Sequence, residues 1–124
     1  MIQRAKYDIK IYRGDTPKFR YKLTNIDDES GEESVIDITD YQIKGQVRYS
    51  SESPDVWFEF PIQKTDPKNG IFEWKLTKEA SENLLPVGSF EPDTAVYDIQ
   101  ISIGDSVFTF MYGSFSVTRD ISRA

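Results

Sequence analysis

Two carboxylates, Glu59 and Glu73, are the side chains in this sequence best placed for bond-breaking chemistry. They fall on neighbouring candidate strands. Paired carboxylates facing each other across a gap can cleave a glycosidic bond, one as acid and the other as base or nucleophile. Such a pair needs a cleft, and nothing in the flanking sequence implies one. Two outward residues of a two-stranded ribbon have the same spacing, and that is the reading preferred. The chain has no His and no Cys. The commonest general base, the thiolate nucleophile and the usual zinc ligands are therefore missing. There is no G-x-S-x-G and no Gly-rich phosphate loop. The expectation is a protein that is not an enzyme, with no catalytic residue, no metal site and no cofactor.

Other residue groups invite a chemical reading and are weighed the same way. NIDDESGEES gathers Asp27, Asp28, Glu29, Glu32 and Glu33, all hard oxygen ligands suited to Ca²⁺. The spacing of a helix-loop-helix calcium site is absent, and a run of like charge is read as a solvated loop. Arg13-Gly14-Asp15 spells the integrin-binding tripeptide, but it precedes Thr16-Pro17 and reads as a turn. Trp74 is in phase with Phe72 and Leu76 and reads as core. Trp57 is out of phase with Phe58 and Phe60. It is either exposed, where it would stack on sugar or mark an interface, or buried beneath the loop Ser50 to Asp55.

Composition sets the frame for these residues. The 124-residue length suits one domain over residues 1-124, and 14% aromatic content is enough to build a core. The net charge of −6 disfavours nucleic acid and anionic membranes as partners. No apolar run approaches the roughly 20 residues of a membrane span. MIQRAKYDIK lacks the apolar segment of a signal peptide, so the chain is expected to be made inside a cell and used there or released by lysis.

The elements that must position these residues are mostly strands. YDIKIYR places Tyr7, Ile9 and Ile11 on one face, and KFRYKLT points Phe19, Tyr21 and Leu23 inward. These two form a first hairpin or corner. In QIKGQVRY, Ile43, Gly45, Val47 and Tyr49 alternate with polar residues, the clearest period-two pattern in the chain. VWFEFPI puts Val56, Phe58, Phe60 and Ile62 in phase, with Pro61 marking an edge strand. The turn DPKNG joins it to GIFEWKL as a hairpin. TKEASENLLP is the single helix candidate, capped by Thr77 and ended by Pro86 and Gly88. TAVYDIQISI pairs with SVFTFMY across Gly104-Asp105 in a type II′ turn, which sets Ile101 against Phe108, Ile99 against Phe110 and Tyr97 against Tyr112. Val107, Thr109 and Met111 then face outward. Regular alternation would also expose Phe115 and Val117, so a bulge is expected at Gly113. Together these predict an all-β fold: an antiparallel immunoglobulin-like β-sandwich with one short helix.

The order of motifs also carries a resemblance. "IYRGDT", "IDITDYQIKGQVR", "DPKNGIFEWKLTKEASENLLPVG" and "YDIQISIGDSVFTFMYGSFSVTRDISR" follow one another from Tyr7 to Arg123. This resembles the small β-sandwich domain of tailed-phage structural proteins found at the N-terminus of baseplate upper proteins. Gly14 and Asp15, Ile36 to Thr39, Val47 and Arg48, Asp66 to Gly70, Tyr97 to Gln100, and Thr118 with Arg119 occupy the motif positions. Asp40 stands where the family's turn has Gly, and the chain ends where a baseplate protein continues. The resemblance implies a free-standing phage or prophage virion component in the baseplate, tail adaptor, neck or capsid decoration, assembled in the host cytoplasm. Its partners would be other virion proteins, in a homo-oligomer or symmetric array. Candidate interface residues are Trp57, the Val107/Met111 strip, Arg119 and Arg123. The alternative is a carbohydrate-binding module, which would need at least two coplanar exposed aromatic rings, with Trp57 and Trp74 as the candidates.

Overall fold

The computed structural model describes residues 2–123 as an all-β fold with one α-helix. The strands are β1 (Ala5–Lys6), β2 (Ile9–Tyr12), β3 (Lys18–Lys22), β4 (Thr24–Ile26), β5 (Glu33–Val35) and β6 (Gln42–Arg48). They continue as β7 (Phe58–Glu59), β8 (Gln63–Asp66), β9 (Ile71–Lys75), β10 (Thr94–Ile103) and β11 (Ser106–Thr118), with α1 (Lys78–Leu84) between β9 and β10. The larger sheet runs β1-β11-β10-β6-β7, with β2 also paired to β11. A three-stranded sheet runs β3-β9-β8, and β4 and β5 form a separate hairpin. Most pairings are antiparallel; β1 and β2 each lie parallel to β11.

Period-two patterning builds these strands as expected. Ile9 and Ile11 are buried on β2, and Gly45 and Val47 on β6. The segment after β2 is a corner rather than a hairpin: β2 belongs to the larger sheet and β3 pairs with β9 in the smaller one. Tyr7 is exposed, because it lies in the break between β1 and β2 rather than in phase with Ile9. VWFEFPI is not one strand either. Only Phe58–Glu59 pairs, at the edge of the larger sheet, and the chain then crosses at Pro61 to β8 in the smaller sheet. The hairpin partner of β9 is thus Gln63–Asp66. Pro61 has no N–H to extend the ladder of β7, which suits the point of departure.

Aromatic rings fill the space between the two sheets. Phe60 stacks on Trp74 at 4.3 Å, and Phe110 meets Phe72 and Tyr21 edge-on at 5.7 and 6.2 Å. Trp74 is fully buried, and its indole N–H donates to the Tyr21 hydroxyl at 3.0 Å. Gly45 makes room for this packing, since a Cβ there would fall 2.3 Å from the Phe60 ring.

The final hairpin has the predicted turn. Gly104 has φ 55°, and Asp105 has no positive φ, which fits type II′. Register runs as expected to Gln100 opposite Thr109 and then shifts, with Ile99 opposite Met111 and Tyr97 opposite Gly113. The bulge is therefore at Phe110, not at Gly113. It does return Phe115 and Val117 to the core. It also reverses two neighbours: Met111 turns inward against the core, and Tyr112 turns outward. The extra residue lets Phe110 reach across to the smaller sheet, while the strand regains the phase that buries Phe115.

Thr77 caps α1, its hydroxyl accepting from the Ala80 N–H at 3.2 Å. The other end of the helix is held by two side chains. The Trp57 indole donates to the Leu84 carbonyl at 2.9 Å, and Arg13 Nε donates to the Leu85 carbonyl at 2.8 Å. Both groups serve carbonyls that have no partner inside a helix.

Candidate functional site

The two glutamates belong to different sheets. Glu59 lies on β7 opposite Gln46 in the larger sheet, whereas Glu73 lies on β9 in the smaller one. Glu73 is also engaged, with Lys18 at 3.1 Å and Arg20 at 3.6 Å. The two are not neighbours across one ribbon. The acidic stretch forms the tip of the β4–β5 hairpin. Asp27 accepts from the N–H groups of Ser30 and Glu29, and these bonds hold its carboxyl below the usual range. Among the described residues, no three acidic side chains are grouped to hold a metal ion.

Arg13-Gly14-Asp15 is a turn whose arginine is buried. Besides the Leu85 carbonyl, Arg13 bonds Asp120 at 2.9 Å, and Asp120 also meets Arg123 at 3.5 Å. Partial burial works against the Asp120 carboxylate, but the two arginines outweigh it and hold its pKa below the ordinary value. The Gly14 N–H donates to the buried Ser81 hydroxyl at 2.8 Å. The tripeptide thus ties the corner to α1 and the C-terminal segment.

The five candidate interface residues do not converge. Trp57 is half-buried, stacked on Tyr49 at 4.7 Å and edge-on to Phe115 at 5.7 Å. It is neither free on the surface nor sealed under the loop. With Trp74 in the core, the two tryptophans form no platform. Met111 faces inward because of the Phe110 bulge, so the Val107/Met111 strip does not exist. Val107 alone is exposed, beside the Gly104–Asp105 turn. Arg119 and Arg123 follow the far end of β11, the strand that begins beside Val107.

That far end carries a feature the sequence reading did not single out. Phe90 and Ile121 have 103% and 93% of their surface in water. The Arg119 guanidinium donates to the Ser89 carbonyl at 2.6 Å, so the segment bearing Phe90 and the segment bearing Ile121 are joined. Exposed Val87 lies in the same loop as Phe90, and exposed Tyr12 lines a recess with Ile121, Arg119 and Arg123. Exposed apolar side chains thus stand at the end of the molecule that carries Arg119 and Arg123, where the recess also holds the carboxylates of Asp15, Glu82 and Asp120. A signal was present: Phe90 is a large apolar residue within PVGSFEPD, a Pro/Gly-rich stretch that cannot bury it in a strand.

No protein-family model matches the chain, and no curated protein matches it.

Proposed function

We propose that this chain is a non-enzymatic structural component of a phage or prophage virion, an immunoglobulin-like β-sandwich acting through protein–protein contacts. The virion assignment rests on the ordered motifs from Tyr7 to Arg123 and their resemblance to the baseplate domain. The contact role rests on one observation: Phe90 and Ile121 stand in water at one end of the molecule, flanked by Arg119 and Arg123. Large apolar side chains grouped on a surface and rimmed by charge mark interaction sites. Arg119 bonds the Ser89 carbonyl and Asp120 bonds the buried Arg13, which ties the C-terminal segment to the loop bearing Phe90 and to the corner after β2. Its partners are other virion proteins and further copies of the chain in a symmetric array.

Mass spectrometry of phage particles purified from the producing host tests the proposal. The chain should copurify with particles in a fixed ratio to the other structural proteins. Its absence from particles, with the chain present in the lysate, would overturn the virion assignment.

A further inference from the structure

The smaller sheet ends in a free edge. Within it β9 lies between β3 and β8, so β3 is bonded on one side only. Two hydrogen bonds fix which of its residues are used. The Leu23 N–H donates to the Gly70 carbonyl at 2.8 Å, and the Leu76 N–H donates to the Pro17 carbonyl at 3.0 Å. Alternate residues of an antiparallel strand bond the same neighbour, so Phe19 and Tyr21 also serve β9. Lys18, Arg20 and Lys22 then turn their N–H and C=O groups away from it. Among the described residues, no backbone group meets them there.

The side chains on this edge have one sign. Lys18, Arg20 and Lys22 are exposed on the outer face of the sheet, beside Lys75, Glu73 and Ile71 of β9. Lys18 stands directly opposite Lys75, a like-charge pair that weakens strand pairing. Glu73 is the one carboxylate in that row of β9, and Lys18 and Arg20 already share it at 3.1 and 3.6 Å. Asp66 lies one strand further, opposite Ile71, and bonds Asn69. Among the described residues, Lys22 and Lys75 form no ion pair. Cations thus outnumber carboxylates on this face, although the whole chain carries a net charge of −6. On the other face of β3, Phe19 and Tyr21 are half-buried against the core.

These features select the occupant. Charge on an edge strand keeps like edges from pairing with it. The same field favours a strand of opposite sign. The edge offers N–H donors and C=O acceptors in equal number and in alternation. A polypeptide backbone matches that pattern, whereas a phosphate chain supplies acceptors only. A strand added here sets alternate residues beside Lys18, Arg20 and Lys22 and the intervening ones beside Phe19 and Tyr21. The β4–β5 hairpin of a second copy is a poor fit. Its carboxylates crowd the turn from Asp27 to Glu32 instead of alternating along a strand, and two chains of the same net charge repel.

We propose that the free edge of β3 takes up an extended acidic segment of another protein as an added strand. Its carboxylates alternate beside Lys18, Arg20 and Lys22, and its apolar side chains lie between them over Phe19 and Tyr21. This inference is independent of the virion assignment and uses neither Phe90 nor Ile121.

Titration of the ¹⁵N-labelled chain at low ionic strength with the capped peptide Ser-Glu-Val-Glu-Val-Glu-Ser tests it. Saturable shifts are expected at the amides of Lys18, Arg20 and Lys22, with hydrogen exchange at those N–H groups slowed about tenfold or more at saturation. Charge attraction alone would shift the amides without protecting them. Lys22→Glu should weaken binding about tenfold at an unchanged melting temperature. If Lys22→Glu lowers the melting temperature, Lys22→Gln removes the charge alone and should still weaken binding. Lys44→Glu, on the larger sheet, should leave binding unchanged. The reordered peptide Ser-Glu-Glu-Glu-Val-Val-Ser and an oligothymidylate should each bind about tenfold more weakly than the alternating peptide. No saturable shift with the alternating peptide would overturn the proposal. So would shifts without slowed exchange, binding indifferent to the Lys22 variants, or equal binding of the reordered peptide or the oligothymidylate. Protection of the three amides that grows with chain concentration in the absence of peptide would also overturn it, by assigning the edge to a second copy.

Discussion

At Gly113, β11 passes close against the N-terminal segment between β1 and β2. A Cβ built there would fall 2.2 Å from the Tyr7 carbonyl oxygen and 2.7 Å from its carbon. Both are backbone atoms, and they are tied in place: the Tyr7 carbonyl accepts from the buried Tyr97 hydroxyl, and the Tyr7 N–H bonds the Tyr112 carbonyl at 2.9 Å. Gly113→Ala should therefore cost about 1–3 kcal/mol, as overpacking does, read from the midpoint of urea unfolding. An unchanged midpoint would mean that the N-terminal segment moves aside freely. Asp98 makes a second prediction at this scale. Burial raises its carboxyl above its ordinary range, so the folded state holds its proton to higher pH than the unfolded state. Its contribution to stability is then most favourable below the ordinary carboxylate range and declines as pH rises through the folded value. Asp98→Asn should raise the melting temperature at about pH 7 and lose that advantage near pH 3, where both states of the wild type are protonated. The opposite pH trend would show that Arg48 and not burial governs the group.

Elements differ in how openly they announce themselves. QIKGQVR alternates because one face is wet, Thr77 precedes a helical run, and Gly104-Asp105 suits one turn geometry; β6, α1 and the β10–β11 hairpin follow from local chemistry. The misread elements were decided by distant partners. Gly113 drew the expected bulge because glycine often marks one, but its lack of a side chain serves the Tyr7 carbonyl. The bulge went to Phe110, which reaches Phe72 and Tyr21 on the other sheet. VWFEFPI has uniform phase, yet it divides at Pro61 because Phe60 must lie over Gly45 while the following residues join β9. The hairpin β4–β5 was hidden by its acidic tip. Of the proposed contact surface, Arg119 and Arg123 were singled out from the sequence, whereas Phe90 and Ile121 showed their exposure only in the structure. The helix gives a prediction at the scale of elements. Thr77→Ala should cost about 1 kcal/mol through loss of the cap. Trp57→Phe should cost about the same by leaving the Leu84 carbonyl without the indole donor. Both are measurable by chemical unfolding, and the two should add within about 0.5 kcal/mol only if opposite ends of α1 act independently.

The two sheets are joined by aromatic contacts rather than by a shared strand, and Trp74 is at the centre of them, touching Phe19, Phe58 and Phe60. Its full burial makes Trp74→Ala a test of the whole molecule, with an expected loss of about 3–5 kcal/mol. That is a large part of the stability of a chain this size, so a marginally folded product is expected. The patch at the far end should behave in the opposite way. Phe90 and Ile121 make almost no contact within the chain, so Phe90→Ser with Ile121→Ser should leave unfolding within about 0.5 kcal/mol of wild type. Association is where the change should appear. Light scattering of the wild-type chain should give a mass that rises with concentration above the 14.3 kDa of one copy, and the double variant should stay at that value. Burying two apolar side chains that stand in water is favourable enough to matter for weak association, and removing them withdraws that term without touching the core. A wild-type chain that remains at one copy at every concentration would exclude self-association and leave the patch for a different partner. A double variant that associates as the wild type does would remove the patch from the contact altogether.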